Sequence, residues 1–433
     1  MRLNPEFIRN LWLEFSLQRL LFWPLLQLLL LLLILMGTDF SLKRELGHFF
    51  LALFALITGI WGSKQATASV FDEVLGRTWD WQRMSGLSPW SMTWGKLFGA
   101  SLYAWYAGLI FLLTAIAALI LDGQAQDWKW LGVIFSMVLL SQALGLLLSL
   151  LYVRSRPLEH SRVSSSIYLL VLIGLFMLGG QLAEDGEQGL SWYLWSWDVL
   201  DFALLSILLF WLWAVLGAYR VMRRELSHSA RPWVWLAFLG FVIIYLGGLV
   251  EQGLSAWLML AYLCAHVAAL LAILVEPKDA VQLRGLMARL AAGDLSRALL
   301  LTPSWLVSLL LAVIALLGLY TSPGLGLVFI GLQAYPAAFM ASLLLLFLLR
   351  DLAIFLSLSL SAEARRAEAM GLIYLLVLYS LLPTLIQTLG LDGMLVFLHP
   401  RVDQSYLWAL IGPLSGMLLA MALLWRQWRR LGR

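Results

Sequence analysis

Apolar runs of about twenty residues, separated by short polar breaks, recur along the whole chain, and a helix needs about 20 such residues to cross a bilayer. Twelve runs are read: 20–37, 49–66, 97–121, 130–153, 167–182 and 200–219, then 233–250, 256–275, 305–320, 325–349, 371–389 and 406–425. The ninth is short, and the tenth ends at the pair Arg350-Asp351 or runs past it. Residues 4–18 have a different pattern. Asn4-Pro5 caps a helix start, and Phe7, Leu11 and Phe15 share one face at helical spacing with Trp12 beside them. That is an amphipathic helix lying in the membrane interface ahead of the first span. It does not end in a small-residue cleavage site, so no cleaved signal peptide is expected. The pattern predicts an all-α polytopic membrane protein of about 12 transmembrane helices with an N-terminal interfacial amphipathic helix.

Composition agrees. Of 433 residues, 62% are hydrophobic and 12% charged, and mean hydropathy is +0.88; soluble domains are about half apolar and a quarter charged. No large soluble domain fits between the runs. The single cysteine, Cys264, lies in an apolar run and makes no internal disulfide. Charge is informative by position. With both termini in the cytoplasm, the outer side holds Lys43, Arg44, Lys129 and Arg401, and the other 25 of the 29 Lys and Arg residues fall in inner loops, tails or inner span ends. That bias follows the positive-inside rule and supports both the count and the direction. Trp128, Trp130, Trp192 and Trp408 fall near span ends, where amphipathic rings prefer the interface.

The chain also repeats itself. IYLLVL occurs at 167–172 and again at 373–378, a spacing of 206, each time opening the fifth span of a six-span set. Tyr219-Arg220 and Trp425-Arg426, which end the sixth spans, are also 206 apart. Leu87-Ser88-Pro89-Trp90 is echoed by Leu301-Thr302-Pro303-Ser304-Trp305. The expectation is two parallel six-helix repeats: a first half over 1–219, a cytoplasmic linker at 220–231 and a second half over 232–433.

One polar insertion, 70–96, separates the second and third spans. It carries Asp72, Glu73, Arg77, Asp80, Arg83 and Lys96. Its middle reads as a short amphipathic helix over 78–86, followed by a Ser88-Pro89 turn that opens the next helix, with Ser as cap and Pro as first residue. The order of elements is Glu73, then Gly76 and Thr78 with Arg77 between them, Trp79 to Ser85, Leu87-Ser88-Pro89, and Gly95-Lys96. This order resembles the coupling segment of type-2 ATP-binding-cassette (ABC) exporter permeases. The interposed Arg77 and the two tryptophans, Trp79 and Trp81, depart from that pattern. The resemblance implies that Glu73, Arg77, Thr78, Trp79, Trp81, Arg83, Ser88, Pro89 and Lys96 couple the membrane part to a cytoplasmic ABC ATPase, with Glu73, Arg77, Trp79, Trp81 and Arg83 as the contact surface. The matching stretch of the second half, 276–304, has Glu276, Arg284, Arg289, Asp294 and Arg297 but no Gly-Lys opening and no Trp pair, and it reads as a degenerate coupling segment. The family also places short re-entrant helices between fifth and sixth spans; here 183–199 and 390–405 are long enough for them, or for tryptophan-rich surface loops.

Chemistry is thin. No G-x-x-x-x-G-K-[ST] phosphate loop occurs, and Gly95-Lys96 runs on into Leu97 and an apolar helix. ATP and Mg are therefore expected on a partner ATPase, with no cofactor, metal or catalytic residue in this chain. Of His48, His160, His228, His266 and His399, only His266 lies in a span, and none joins a cluster with metal spacing. Asp198 and Asp201 mark a helix start, where carboxylates favour the N-terminus. Lys64 sits near the inner end of span 2 and snorkels. Mid-membrane charges are otherwise scarce, which argues against proton- or ion-driven transport and leaves room for an amphipathic or lipid-like substrate.

The sequence thus predicts the permease of an ABC exporter in a bacterial inner membrane. Its expected partners are an ATPase dimer, membrane lipids and further membrane or periplasmic subunits, with no nucleic acid. Two alternatives share parts of the pattern: a 12-span secondary transporter driven by an ion gradient, and a membrane-embedded lipid-modifying enzyme.

Overall fold

A computed structural model describes residues 4–37, 43–122, 125–155, 189–226, 233–250, 253–276, 278, 280–322, 337–361, 367–400 and 405–431. Among these, nine helices are long and apolar enough to cross a membrane: Leu17–Met36, Glu45–Leu75, Leu102–Leu121, Trp128–Val153, Val199–Glu225, Leu254–Val275, Ser304–Thr321, Ala337–Ser359 and Tyr406–Arg430. The chain is an α-helical integral membrane protein. Shorter apolar helices, Trp233–Gly247 and Ile373–Thr388, stand where the seventh and eleventh spans were expected. The expected fifth span, 167–182, lies outside the described residues, as do His160, His228, Arg401 and the stretch 183–188.

The tenth span takes the longer of the two ends that the sequence left open. It was expected at 325–349, of which 325–336 lies outside the described residues; the helix itself is Ala337–Ser359 and encloses Arg350 and Asp351. The pair survives there because every charge is answered. Arg350 Nε donates to Asp351 Oδ1 at 2.9 Å, and its NH1 and NH2 groups donate to the Phe397 carbonyl and Tyr379 Oη at 3.0 and 2.8 Å. Tyr374 and Tyr379 in turn donate to Asp351 at 3.0 and 2.6 Å.

The chain divides into two compact units, Met1–Ala230 and Arg231–Arg433. In the first, α1 (Pro5–Glu14) is the helix expected at the interface and α2 (Leu17–Gly37) the first span. The second span combines α3 (Lys43–Phe54), a π-helical stretch Ala55–Trp61 and α4 (Gly62–Leu75). Next come α5 (Trp79–Arg83), α6 (Pro89–Trp94), a π turn Gly95–Gly99, α7 (Leu102–Asp122) and α8 (Ala125–Ser155). A two-stranded hairpin, β1 (Gly189–Trp192) with β2 (Trp195–Asp198), leads into α9 (Val199–Glu225). The described part of the expected 183–199 re-entrant stretch is thus this hairpin, turned by Tyr193 at φ 55. Asp198 caps α9, accepting from Leu200 N at 3.0 Å, and Lys129 Nζ reaches both Asp198 and Asp201 at 2.7 Å. α9 continues through Glu225, so the first residues of the expected 220–231 linker are helical.

Apolar side chains gain little by meeting each other inside lipid, so span contacts rest on close packing and polar pairs. Pro24 inside α2 removes the donor that would serve the Leu20 carbonyl; Tyr106 Oη of α7 supplies one at 2.6 Å. Gln142 of α8 donates to the Thr58 carbonyl in the π stretch at 2.8 Å and accepts from Ser101 Oγ and Trp105 Nε1 at 3.1 and 2.9 Å. Ser63 Oγ meets Ser141 Oγ at 2.7 Å beside it.

The second unit holds α10 (Trp233–Gly247), α11 (Leu254–Val275), two short helices, α12 (Ala280–Ala291) and α13 (Leu295–Leu301), and then α14 (Ser304–Thr321). α15 (Ala337–Ser359), α16 (Ala367–Leu376), a π turn Val377–Leu381, α17 (Leu382–Thr388) and α18 (Tyr406–Leu431) complete it. α11 packs on α14 around Tyr262, Ala265, Ala312 and Ala315. His266 is a packing histidine whose Nδ1 lies 3.4 Å from Tyr262 Oη. In the described part of 390–405, Asp392–Phe397 forms a 3-10 helix with Leu395 and Val396 buried.

Gln142→Leu leaves the Thr58 carbonyl and the Trp105 indole N–H without this partner, while Ser101 Oγ keeps the Leu97 carbonyl at 2.8 Å; an orphaned group costs about 1–3 kcal/mol. The purified protein should lose thermal stability by at least that amount. Ser136→Ala, which removes only a bond to its own helix at Val133, should not.

Candidate functional site

The stretch between the second and third spans is a turn hung on buried charge. α4 ends at Gly76, and Arg77 adopts φ 55 to reverse the chain. The Glu73 carbonyl takes the Thr78 N–H and hydroxyl at 2.9 and 3.2 Å, closing that reversal. The helix that follows is shorter than the expected 78–86. α5 spans Trp79–Arg83, and Gly86 at φ 70 belongs to the turn after it. Ser88 then caps α6 by accepting from Ser91 N at 3.1 Å, with Pro89 as first residue.

Glu73 is the centre of the arrangement. Its carboxylate pairs with Lys96 Nζ and accepts from Gln82 Nε2, and Arg9 of α1 reaches it at 2.8 Å. Arg9 also pairs with Glu6 at 2.8 Å, and Glu6 lies 3.9 Å from Lys96. The Lys96 side chain is 1% exposed and sits 5.2 Å from the Trp79 ring, itself buried. Burial pushes the Glu6 carboxyl above its usual range, while Lys96 and Arg9 pull it back.

α1 reaches this cluster because glycine lets it. A Cβ on Gly95 would lie 2.5 Å from Glu6 Cβ, and one on Gly99 would lie 2.8 Å from Asn10 Nδ2. Asn4 stitches the other end: it caps α1 at Glu6 N, donates to the Ser91 carbonyl at 2.6 Å and accepts from Ser91 Oγ at 2.9 Å. Glu6, Arg9, Gln82 and Ser91 were not singled out from the sequence, and Asn4 was read there only as a helix cap. The signals were present in Glu6 and Arg9 on the polar face of an amphipathic helix, and in the four-residue spacing of Gly95 and Gly99.

The nine candidate residues therefore separate into two groups. Glu73, Trp79 and Lys96 face inward and brace the turn, Thr78 closes it, and Ser88 and Pro89 start the helix after it. Arg77 and Trp81 project, Trp81 being 75% exposed with Met84 beside it at 71%. Arg83 Nε donates to the Glu225 carbonyl at 2.9 Å and pairs with Asp80 at 3.4 Å, tying the tip of α5 to the end of α9.

The stretch 276–304 of the second unit solves the same connection differently. Glu276 accepts from Ser304 N and Oγ at 2.7 and 2.6 Å, joining the end of α11 to the start of α14. Asp294 caps α13 at Arg297 N, and Arg289 and Arg297 lie 3.6 and 3.5 Å from its carboxylate. Arg284 stacks 5.5 Å from the Trp428 ring.

Among the described residues, no three His, Cys, Asp or Glu side chains are grouped to hold a metal ion. No protein-family model, curated protein or solved structure matches this chain.

Removing one partner of a buried pair costs about 3–5 kcal/mol, whereas replacing both by apolar groups is near neutral. Glu73→Gln should therefore destabilise the first unit by about 3 kcal/mol, and Glu73→Leu with Lys96→Met should restore most of it, read as thermal midpoints. Glu6, with its folded pKa raised, favours the docked α1 below its unfolded pKa, and this contribution is lost as pH rises through the folded pKa. Glu6→Gln should flatten that slope in a pH series of the same melts.

Proposed function

We propose that this chain is the membrane-spanning permease of an ATP-driven exporter of the type-2 ABC kind. It would be built as two six-span halves in a bacterial inner membrane with both termini in the cytoplasm. The observation that carries the reading is α5: a short helix with an exposed Trp81 and Met84, held off the ends of the spans by a buried Glu73–Lys96 pair. An aromatic anchor on a small rigid projection suits a pocket on a partner protein. In this reading Arg77, Asp80, Trp81 and Met84 meet the ATPase. Glu73, Trp79 and Lys96 transmit its movement to the second and third spans and to α1. Helices α12 and α13 make the weaker second contact. ATP and Mg belong to the partner, and the ATPases must favour one arrangement of the permease over another for hydrolysis to be coupled to anything. The scarcity of unpaired mid-span charge fits an amphipathic cargo.

A gradient-driven transporter is favoured by one specific feature, the Arg350–Asp351 pair inside α15, since ionisable groups in spans often mark ion pathways. Its full set of hydrogen bonds suits a structural role better than a site that must exchange protons or ions.

The deciding experiment is purification of the tagged chain from its native membrane with ATP hydrolysis assayed on the eluate. An ATPase should co-purify, and replacing residues 79–83 by Gly-Ser should remove it. Trp81→Glu alone should lower the co-purified hydrolysis at least tenfold. A well-folded single chain that carries no hydrolysis, and whose substrate uptake collapses with the proton gradient, would shift the assignment to a secondary transporter.

A further inference from the structure

Beside the charge cluster lies an open groove. A cavity of about 380 Å³ separates α1 from α4, and Arg9, Trp61, Lys64, Gln65, Asp72 and Lys96 are among the residues on its walls. That volume falls in the range of small-molecule sites, about 300–1,000 Å³. Most charges on its walls are answered by each other: Glu6, Arg9, Glu73 and Lys96 within the cluster, and Glu14 by Arg19 at 2.8 Å. Three groups are not. The side chains of Lys64 and Asp72 have no hydrogen bond or ion pair among the described residues, and Gln65 Oε1 is buried with no donor.

Their order along α4 is informative. Lys64, Ala68 and Asp72 follow at four-residue steps and so share one helix face. Lys64 stands on the membrane side and Asp72 one turn from the polar end at Gly76, about 12 Å apart along the axis. The flexible lysine stem shortens that gap. The Lys64 ammonium is exposed on the groove wall and offers an anion its charge there. Gln65 Oε1, buried without a donor, and the exposed Asp72 take the opposite, a donor. In a glycerophospholipid the phosphate lies on the acyl-chain side and the amine lies farther out, the same order as the cation and the acceptors of this groove. A purely anionic headgroup would leave Asp72 and Gln65 without a donor, and a quaternary amine has no N–H to give them.

We propose that this groove binds the headgroup of a zwitterionic primary-amine phospholipid, its phosphate on Lys64 and its ammonium on Asp72 and Gln65. The site requires only that α4 belongs to a membrane span. It stands or falls separately from the exporter assignment.

The test is native mass spectrometry of the full chain in mild detergent. Ethanolamine, choline and glycerol phospholipids of equal acyl length are supplied in turn, and soluble phosphoethanolamine separately. The ethanolamine lipid should be retained at least tenfold over the other two lipids, and over phosphoethanolamine. Lys64→Met should remove that retention, and Asp72→Asn should bring ethanolamine and choline lipids level. Ala68→Trp, which fills the groove without touching a charge, should act like Lys64→Met. Equal retention of all three lipids by the unaltered protein would overturn the proposal whatever the variants do. So would undiminished retention in both Lys64→Met and Ala68→Trp. Binding of soluble phosphoethanolamine as tight as that of the lipid would overturn the lipid assignment in favour of a soluble ligand.

Discussion

An ammonium that is 1% exposed must bring its counter-charge with it, and in this protein Lys96 dictates where four pieces of chain go. Burying an ion costs several kcal/mol even after relaxation, and only close, well-bonded partners offset it. Glu73 supplies the charge, which fixes the end of α4 against the start of the third span. Gln82 and Arg9 fill the remaining valences of Glu73, which fixes α5 and α1. Surface pairs are worth about 0–1 kcal/mol, so the Arg83–Asp80 contact at the tip cannot hold the turn alone. The projection of Trp81 is a consequence of charge buried beneath it.

The same logic governs the interior of the spans. Where backbone hydrogen bonding is broken inside lipid, a neighbouring span must repair it. Pro24 opens a carbonyl and Tyr106 closes it; the π stretch at Ala55–Trp61 presents the Thr58 carbonyl and Gln142 binds it. Arg350 extends the rule to a charge, since it bonds the Phe397 carbonyl and so anchors the 3-10 segment Asp392–Phe397 to α15. These irregularities are the points at which packing is specified, because apolar contacts within a bilayer discriminate poorly between alternatives.

The apolar pattern made most span positions legible, since length and hydropathy are properties of a segment by itself. It failed where a partner decides the outcome. Arg350 and Asp351 left the end of the tenth span open, because no window of sequence shows Tyr374, Tyr379 and Phe397 arriving around them. The turn between the second and third spans was legible as an order of residue types, and Ser88-Pro89 starts its helix as the pattern required. Its centre was not: Glu73 looked like a surface contact, and only the approach of α1, licensed by Gly95 and Gly99, turns it inward. Hydropathy likewise made α1 an interfacial helix through Leu11 and Trp12, without saying that its polar face is a structural part of the first unit.

Because Arg9 belongs at once to the Glu73 cluster and to the wall of the groove, α1 stands between two surfaces. A ligand in the groove that prefers one position of α1 would alter the setting of Glu73, and through it the position of α5. Linkage then requires the converse: a partner that moves α5 would change affinity in the groove by the same factor. The magnitude is bounded by what Arg9 contributes, since a shared side chain transmits no more than the difference in its own interactions between the two positions. Arg9 is partly exposed, and its two carboxylate bonds stand at the edge of the cluster rather than under Lys96. A coupling of about 1 kcal/mol is therefore the natural scale, at the low end of what links distant sites in proteins. It is enough to bias an equilibrium a few-fold and too little to drive it alone, so the groove would tune the turn, and the buried lysine would still decide where the turn stands.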